Sequence, residues 1–408
     1  MVRNKIINFL EYVFVLLVIL EFNTIYYVIP QVSFFYRHIS LVVLLVLIIL
    51  RARYFKIVPI LIIYVLGSFL PFLNVRGEAL LSYVKSFFFL MPMLIVYLHQ
   101  CRKANATCYQ TLLWKYSDIV FILASSSLIL WLFATILEMI PPSMMIPNDW
   151  TGEVKFIPLY FGIYSETQEA NLFGLSIIRN SGLFNEGPMY NMVLCLALSI
   201  ECLIRNKRSK LKIIILVVTI ITTFTTTGQL FLGGLLFFTL YKKFWVAHRF
   251  ILIMAAPVIM GVMFTLFMVL MNDKQDNATV SYDARKADIE TCIDVGLDNP
   301  FLGVQLYRTG EGSRLNYGFS NSLFTIFAHG GFYTLFLYVV ALFCIPFVLM
   351  RYEDSRRVSI VILCYFCLFA ITISHYKYLT FLMMAYGLSL YSFSYINPQR
   401  RKELNVDR

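Results

Sequence analysis

Residues 179 to 191 read Arg-Asn-Ser-Gly-Leu-Phe-Asn-Glu-Gly-Pro-Met-Tyr-Asn, a polar, glycine-punctuated stretch that runs directly into an apolar one. Arg179 offers a rigid planar fork of donors suited to phosphate. Glu186 can orient that fork or take a proton from a sugar hydroxyl. The plainer reading is an ion pair that fixes loop geometry, but exposed pairs contribute under about 1 kcal/mol and would not call for so much polar sequence. Arg285, Arg308 and Arg314 bring three more guanidinium groups into a second polar stretch. Singly each is a solvated loop residue; together they suit an anionic ligand, since hydrogen bonds to charged groups contribute about 1.5–3 kcal/mol each and two or three hold a diphosphate. His329 precedes Gly330-Gly331 and reads either as a donor to a backbone carbonyl at a helix bend or as a base or donor on a cavity floor. Lys85 either snorkels from an apolar segment to the interface or faces the same cavity.

These residues must be positioned by a membrane bundle. With 59% hydrophobic and 14% charged residues over 408 positions, and a mean hydropathy of +0.74, a soluble globule with a polar shell is excluded. Apolar runs long enough to span a bilayer recur at about 6–24, 37–50, 57–73, 79–98, 117–138, 187–204, 211–226, 229–241, 250–271, 321–350, 358–375 and 378–396. The expectation is an all-α polytopic membrane protein of about twelve spans, one integral domain over 1–408. Most of the 34 lysines and arginines fall on one set of connections when both termini are cytoplasmic, as the positive-inside rule requires. The net charge of +11 is then a topology signal and not a nucleic-acid footprint. The first span reads as a retained helix and not a cleaved signal. Of the 8 cysteines, most lie in or beside spans or on the cytoplasmic side, so no disulfide framework is implied. Asn277-Ala278-Thr279 fits a glycosylation sequon, a match that arises often by chance.

Two connections are long and face outward, about 139–186 and 272–320. Long loops of this kind are usually functional. In the second, Ser281 or Asp283 opens a helix with an apolar stripe of Ala284, Ala287, Ile289, Cys292 and Ile293, ended by Gly296 and Asn299-Pro300, with Arg285 on its polar side. In the first, Ser165 and Gln168 form a capping-box pattern that predicts a short helix. The outward connection at 25–36 holds no carboxylate, and the chain has no DxD, HExxH, Walker loop or GxSxG elbow. No metal ligands or cofactor are expected, and arginines would stabilise leaving-group charge in a metal's place.

Three stretches carry a resemblance to the bacterial O-antigen polymerase and ligase superfamily, and more closely to its surface-polysaccharide polymerase branch. Arg179 to Tyr190 resembles the branch's Arg-x-x-Gly-(aliphatic)-Phe-x-Glu element. Arg285 through Asp298-Asn299-Pro300-Phe301-Leu302-Gly303-Val304 is similar to its arginine helix and Asn-Pro-Leu-x-Gly turn. Gly318-Phe319-Ser320-Asn321-Ser322-Leu323, with Gly330-Gly331-Phe332, is similar to the element that re-enters the membrane. Ligase-type members carry a histidine where Ser320 stands and Ser-Arg where Gly228-Gln229 stands, which argues against that branch. The resemblance implies a GT-C-like bundle in the bacterial plasma membrane and a metal-independent glycosyltransferase. It would join undecaprenyl-pyrophosphate-linked repeat units into O-antigen or capsular polysaccharide at the outer face. Arg179, Glu186 and Arg285 would be catalytic, and Arg308, Arg314, Tyr190, Asn321, His329 and Lys85 would contact substrate. A chain-length regulator and a flippase of the same pathway would be partners. An O-antigen ligase, or a flippase or transporter of the lipid-linked unit, is the alternative.

Overall fold

The computed structural model describes residues 2–51, 59–77, 79–104, 106–148, 155–172, 175–244, 279–307 and 321–394. The span expected at 250–271, the sequon asparagine, Arg308, Arg314 and the Gly318–Ser320 motif lie outside the described residues. Helices α1 (Val2–Leu20), α2 (Pro30–Arg51), α3 (Pro59–Phe72), α4 (Ala79–Ala104) and α5 (Thr107–Ile136) come first. Strands β1 (Met144–Asn148), β2 (Lys155–Tyr160), β3 (Tyr164–Ser165), β4 (Glu169–Leu172) and β5 (Leu175–Ile178) follow. Helices α6 (Gly187–Leu203), α7 (Lys210–Thr222), α8 (Thr226–Phe244) and α9 (Thr279–Asp298), α10 (Ser322–Leu349), α11 (Glu353–Ile371) and α12 (Tyr378–Ser394) complete the described fold. Among the described residues, four helices, α2, α4, α5 and α10, are long and apolar enough to cross a membrane, which marks the chain as membrane-associated.

The chain divides into two compact units: Met1–Phe22, Pro30–Tyr116 and Asp288–Arg408 form the first, and Asn23–Ile29 and Ser117–Ala287 the second. In the first unit, Glu11 lies in the middle of α1 with only 1% of its surface exposed. Arg51 from α2 and Lys115 from α5 both pair with it, Lys115 at 2.6 Å, and Tyr97 from α4 donates to it. Removing one partner from such a buried pair typically costs about 3–5 kcal/mol. The first unit is also tied by close packing of α12. A methyl group at Gly387 would stand 1.8 Å from the Ala341 carbonyl oxygen of α10, so only glycine allows the two backbones to approach this closely.

The Gly330-Gly331 pair does bend α10. Gly331 has φ 61° and ψ −170° inside the helix. Freed peptide groups are taken up by the Asn299–Leu306 segment: Phe332 donates to Pro300 at 2.7 Å, and Val304 and Gln305 donate to the carbonyls of Ala328 and His329. Buried backbone in a membrane bundle needs such substitutes. Gly303, at φ 66°, permits the contact, since a methyl there would lie 2.3 Å from the His329 backbone.

The second unit corrects two expectations. The first long loop is β-structured, with β1, β2 and β3 in one antiparallel sheet and β4 with β5 in a hairpin. Ser165 is therefore in a strand and its predicted short helix is absent. The reason is the preceding turn, where Phe161 and Gly162 both have positive φ, 50° and 69°, which folds β2 back on β3 in the manner of tight hairpins. The outward connection expected at 25–36 is also shorter, because Pro30 opens α2, a first-turn position that suits a residue without an N–H. The residues expected as an arginine helix do form one, α9, which begins at Thr279 and runs through Gly296.

Gly387→Ala should lower stability by roughly 1–3 kcal/mol or more, whereas Gly234→Ala, whose methyl meets nothing within 4 Å, should leave it unchanged or slightly raised. Thermal unfolding of the two detergent-solubilised variants separates these outcomes. Equal midpoints would contradict the close approach of α10 and α12.

Candidate functional site

Arg179 to Glu186 form a turn between β5 and α6 that is tied down by backbone and side-chain hydrogen bonds. Asn180 donates through its N–H to the Thr222 carbonyl at 3.1 Å and through Nδ2 to Thr222 Oγ1 at 3.2 Å, while its own Oδ1 accepts from Gly182 N. The Gly182 carbonyl accepts from Ser165 N at 2.8 Å, and Leu183 accepts from Ile25 N at 2.9 Å. Asn185 donates through Nδ2 to the carbonyls of Asn23 and Thr24, both at 3.1 Å. Gly182 takes φ +56°, and a methyl on it would come within 2.8 Å of the Tyr190 ring.

Tyr190 is fully buried. Its hydroxyl bonds Ser127 at 2.7 Å and its ring stacks on Phe184 at 5.1 Å. The expected contact between Tyr190 and substrate is thus replaced by a positioning role: the side chain is the floor on which the turn rests.

Gln168 was not singled out as a site residue, yet it fixes both ends of the turn. Its carbonyl accepts from Arg179 N at 3.0 Å, and its Oε1 accepts from Gly187 N at 3.2 Å. Glu186 occupies the residue before α6 in an extended conformation (φ −143°, ψ 147°) and makes no side-chain cap to its own helix. Glutamine from another segment takes that task. The signal was present in the sequence as the Ser165/Gln168 spacing, but it pointed to the wrong helix.

The Arg179 side chain crosses the start of α6, with Cδ 3.4 Å from a methyl position at Gly187. Its Nε is buried and, among the described residues, has no hydrogen-bond partner. Burial pulls the guanidinium down from its ordinary pKa, the nearby Glu186 charge pulls it back up, and the Arg285 charge lowers it again. Arg285 itself is exposed, near the start of α9. Arg179 thus feels the charges of both Glu186 and Arg285. A positive, partly desolvated locus next to a carboxylate can hold an anion and accept a proton.

The remaining expected residues are elsewhere, in the first unit. Asn321 caps α10, accepting from Leu323 N and Phe324 N and donating to Ala370, so its side chain holds a helix end. His329 is buried, with Nδ1 3.0 Å from the Tyr376 hydroxyl and its ring parallel to that of Tyr376. Lys85 sits on a π-helical turn, Val84–Leu90, with its ammonium 5.1 Å from the Phe34 ring centroid. Arg37, Tyr307 and Tyr376 join this neighbourhood without a motif that could have announced them. Compared with known proteins, the chain matches no family model, no curated protein and no solved structure.

Gly182→Ala should force the turn off Tyr190, at roughly 1–3 kcal/mol for the strained backbone, and Tyr190→Phe should cost about 1 kcal/mol for the lost hydroxyl bond. Tryptic cleavage after Arg179 reports the opening: cleavage should be fastest in Gly182→Ala, intermediate in Tyr190→Phe and slowest in the native chain. The same rate in all three would contradict the interlock.

Proposed function

We propose that the chain is a polysaccharide polymerase: a metal-independent glycosyltransferase that joins undecaprenyl-pyrophosphate-linked oligosaccharide repeat units at the outer face of a bacterial plasma membrane. On this reading it has about twelve spans, both termini in the cytoplasm and the Arg179 turn outside. The observation that carries the reading is the half-buried Arg179, its Nε buried and without a hydrogen-bond partner among the described residues, with the charges of Glu186 and Arg285 acting on it.

In the transfer, a hydroxyl oxygen of the acceptor unit forms a bond to the anomeric carbon of the donor, and the bond from that carbon to the lipid diphosphate breaks. The hydroxyl proton passes to the Glu186 carboxylate. Undecaprenyl diphosphate leaves with the bonding pair, and Arg179 and Arg285 answer the charge that develops on it. Preorganised donors aimed at developing charge contribute roughly 3–4 kcal/mol each where they have been removed singly. Proton acceptance contributes about 10²–10⁴ in rate. Holding two lipid-anchored substrates together supplies much of the remainder through proximity.

Arg179→Ala and Glu186→Gln should each abolish polymer while protein levels stay near those of the native chain, and lipid-linked glycans analysed by mass should show single repeat units on the outer leaflet. Accumulation on the inner leaflet would instead identify a flippase, and full-length polymer left on its lipid would identify a ligase. Normal chain length in either variant would remove that residue from the mechanism.

A further inference from the structure

The sheet between α5 and α6 has an exposed face that is not made for water. Residues opposite each other in an antiparallel pair share a face. The β1–β2 register puts Met144 with Leu159, Ile146 with Ile157 and Asn148 with Lys155 on one face, and Met145 with Pro158 and Pro147 with Phe156 on the other. The first face turns inward: Ile157 and Leu159 are buried, and Asn148 donates through Nδ2 to Asn185 Oδ1 at 3.3 Å, in the turn that follows Arg179. A sheet with one face buried normally presents polar side chains on the other. Here Met145 is 53% and Phe156 66% exposed, and Pro147 between them is exposed too. None of the three carries a charge or a hydrogen-bonding side chain.

Continuity with α5 says what covers that face. Farther along it, Tyr160 and its pair-mate Tyr164 pack on Leu130 and Ala134 in the last turns of α5. Thr135 adds hydrogen bonds of 2.7 Å to the Tyr164 hydroxyl and to Glu166. The sheet is therefore clamped to the end of a helix long and apolar enough to cross a membrane. That helix exposes Ile129, Phe133 and Ile136, and Leu137 and Met139 carry the apolar surface on into the connection to β1. A continuous apolar surface of this kind marks a contact with membrane or protein, and one that prolongs the lipid-facing side of a span meets lipid. The depth is limited by the backbone. In the described sheet β1 is an edge strand, and the unpaired groups of an open edge are not satisfied in hydrocarbon. Headgroups and their water satisfy them. Pro147 has no N–H to offer a further strand, which argues against a second copy extending this edge.

We propose that the β1–β2 hairpin is a membrane seat, its face of Met145, Pro147 and Phe156 lying at the headgroup–acyl boundary of the bilayer that α5 enters. The clamp at Tyr160 and Tyr164 sets the height of the seat on α5. Asn148 ties its inner face to Asn185, so the seat holds the Arg179 turn at the bilayer surface. The inference does not rest on the proposed glycosyl transfer and holds whatever ligand the turn takes.

The test is fluorescence quenching of the full chain in phosphatidylcholine nanodiscs. Met145→Trp and Phe156→Trp place reporters on the face at exposed positions, so neither disturbs the core. Lys207→Trp, at an exposed position between α6 and α7, serves as the water reference. The signal of each reporter is its difference from the native chain, whose 4 tryptophans supply the background. Phosphatidylcholine brominated on its acyl chains should quench both face reporters, more strongly with bromines near the headgroup than at the chain end. Acrylamide should quench them several-fold less than it quenches Lys207→Trp. Acrylamide quenching equal to the reference would put the face in water. Shielding from both quenchers would mean that protein covers it, a second copy or another segment of the chain. Stronger quenching from the chain end would put it in the bilayer core. Each of these three results, or lipid quenching of only one of the two reporters, overturns the proposal.

Discussion

Holding the Nε of a half-buried guanidinium out of water, without a hydrogen-bond partner among the described residues, is the constraint around which the second unit's loop is built. A buried N–H with no partner costs about 1–3 kcal/mol, more when the group is charged. The Arg179 Nε is in that state, so the turn that carries it has to be stable for other reasons. Those reasons are the buried Asn180, Ser181, Leu183 and Phe184, the bonds from Asn185 to Asn23 and Thr24, and Tyr190 fixed by Ser127 beneath Gly182. Tyr190 and Gln168 touch no substrate in this account; their part is to make the position of Arg179 non-negotiable.

The buried carboxylates elsewhere show what a purely structural acid looks like. Glu11 is surrounded by Arg51, Lys115 and Tyr97. Glu201, fully buried, pairs with Arg205 at 3.1 Å and accepts from Ser117 at 2.9 Å, while Asp118 shares Arg205 and Lys212 with it. In each case the acid is matched by cations from neighbouring helices, and the ensemble ties those helices together. Glu186 stands where a helix-capping acid would serve its own helix, and Gln168 serves it instead.

Much of the helical framework was legible because apolar runs of bilayer length have few other solutions; a helix around Arg285 was expected as well, but α9 starts earlier, runs past Gly296 and leaves Ala287 of the expected apolar stripe exposed. The bend at Gly330-Gly331 could be read too, since two glycines in an apolar helix invite one. The β-structure between α5 and α6 could not. Its strands are short, and its decisive turn places Phe161, a bulky residue, at φ 50°, a conformation that side-chain sterics argue against. The roles of Gln168, Arg37, Tyr307 and Tyr376 were equally hidden, because they depend on contacts between residues far apart in sequence. Tyr190 was expected to touch substrate, whereas its complete burial gives it the work of holding the turn.

The claim that Arg179 and Glu186 form a transfer site is tested most directly by reconstitution. Purified protein in proteoliposomes, supplied only with undecaprenyl-pyrophosphate-linked repeat units, should produce glycans longer than one unit by mass and release one undecaprenyl diphosphate for each linkage formed. Units that cross the bilayer or persist unchanged, with no diphosphate lipid released, would contradict it.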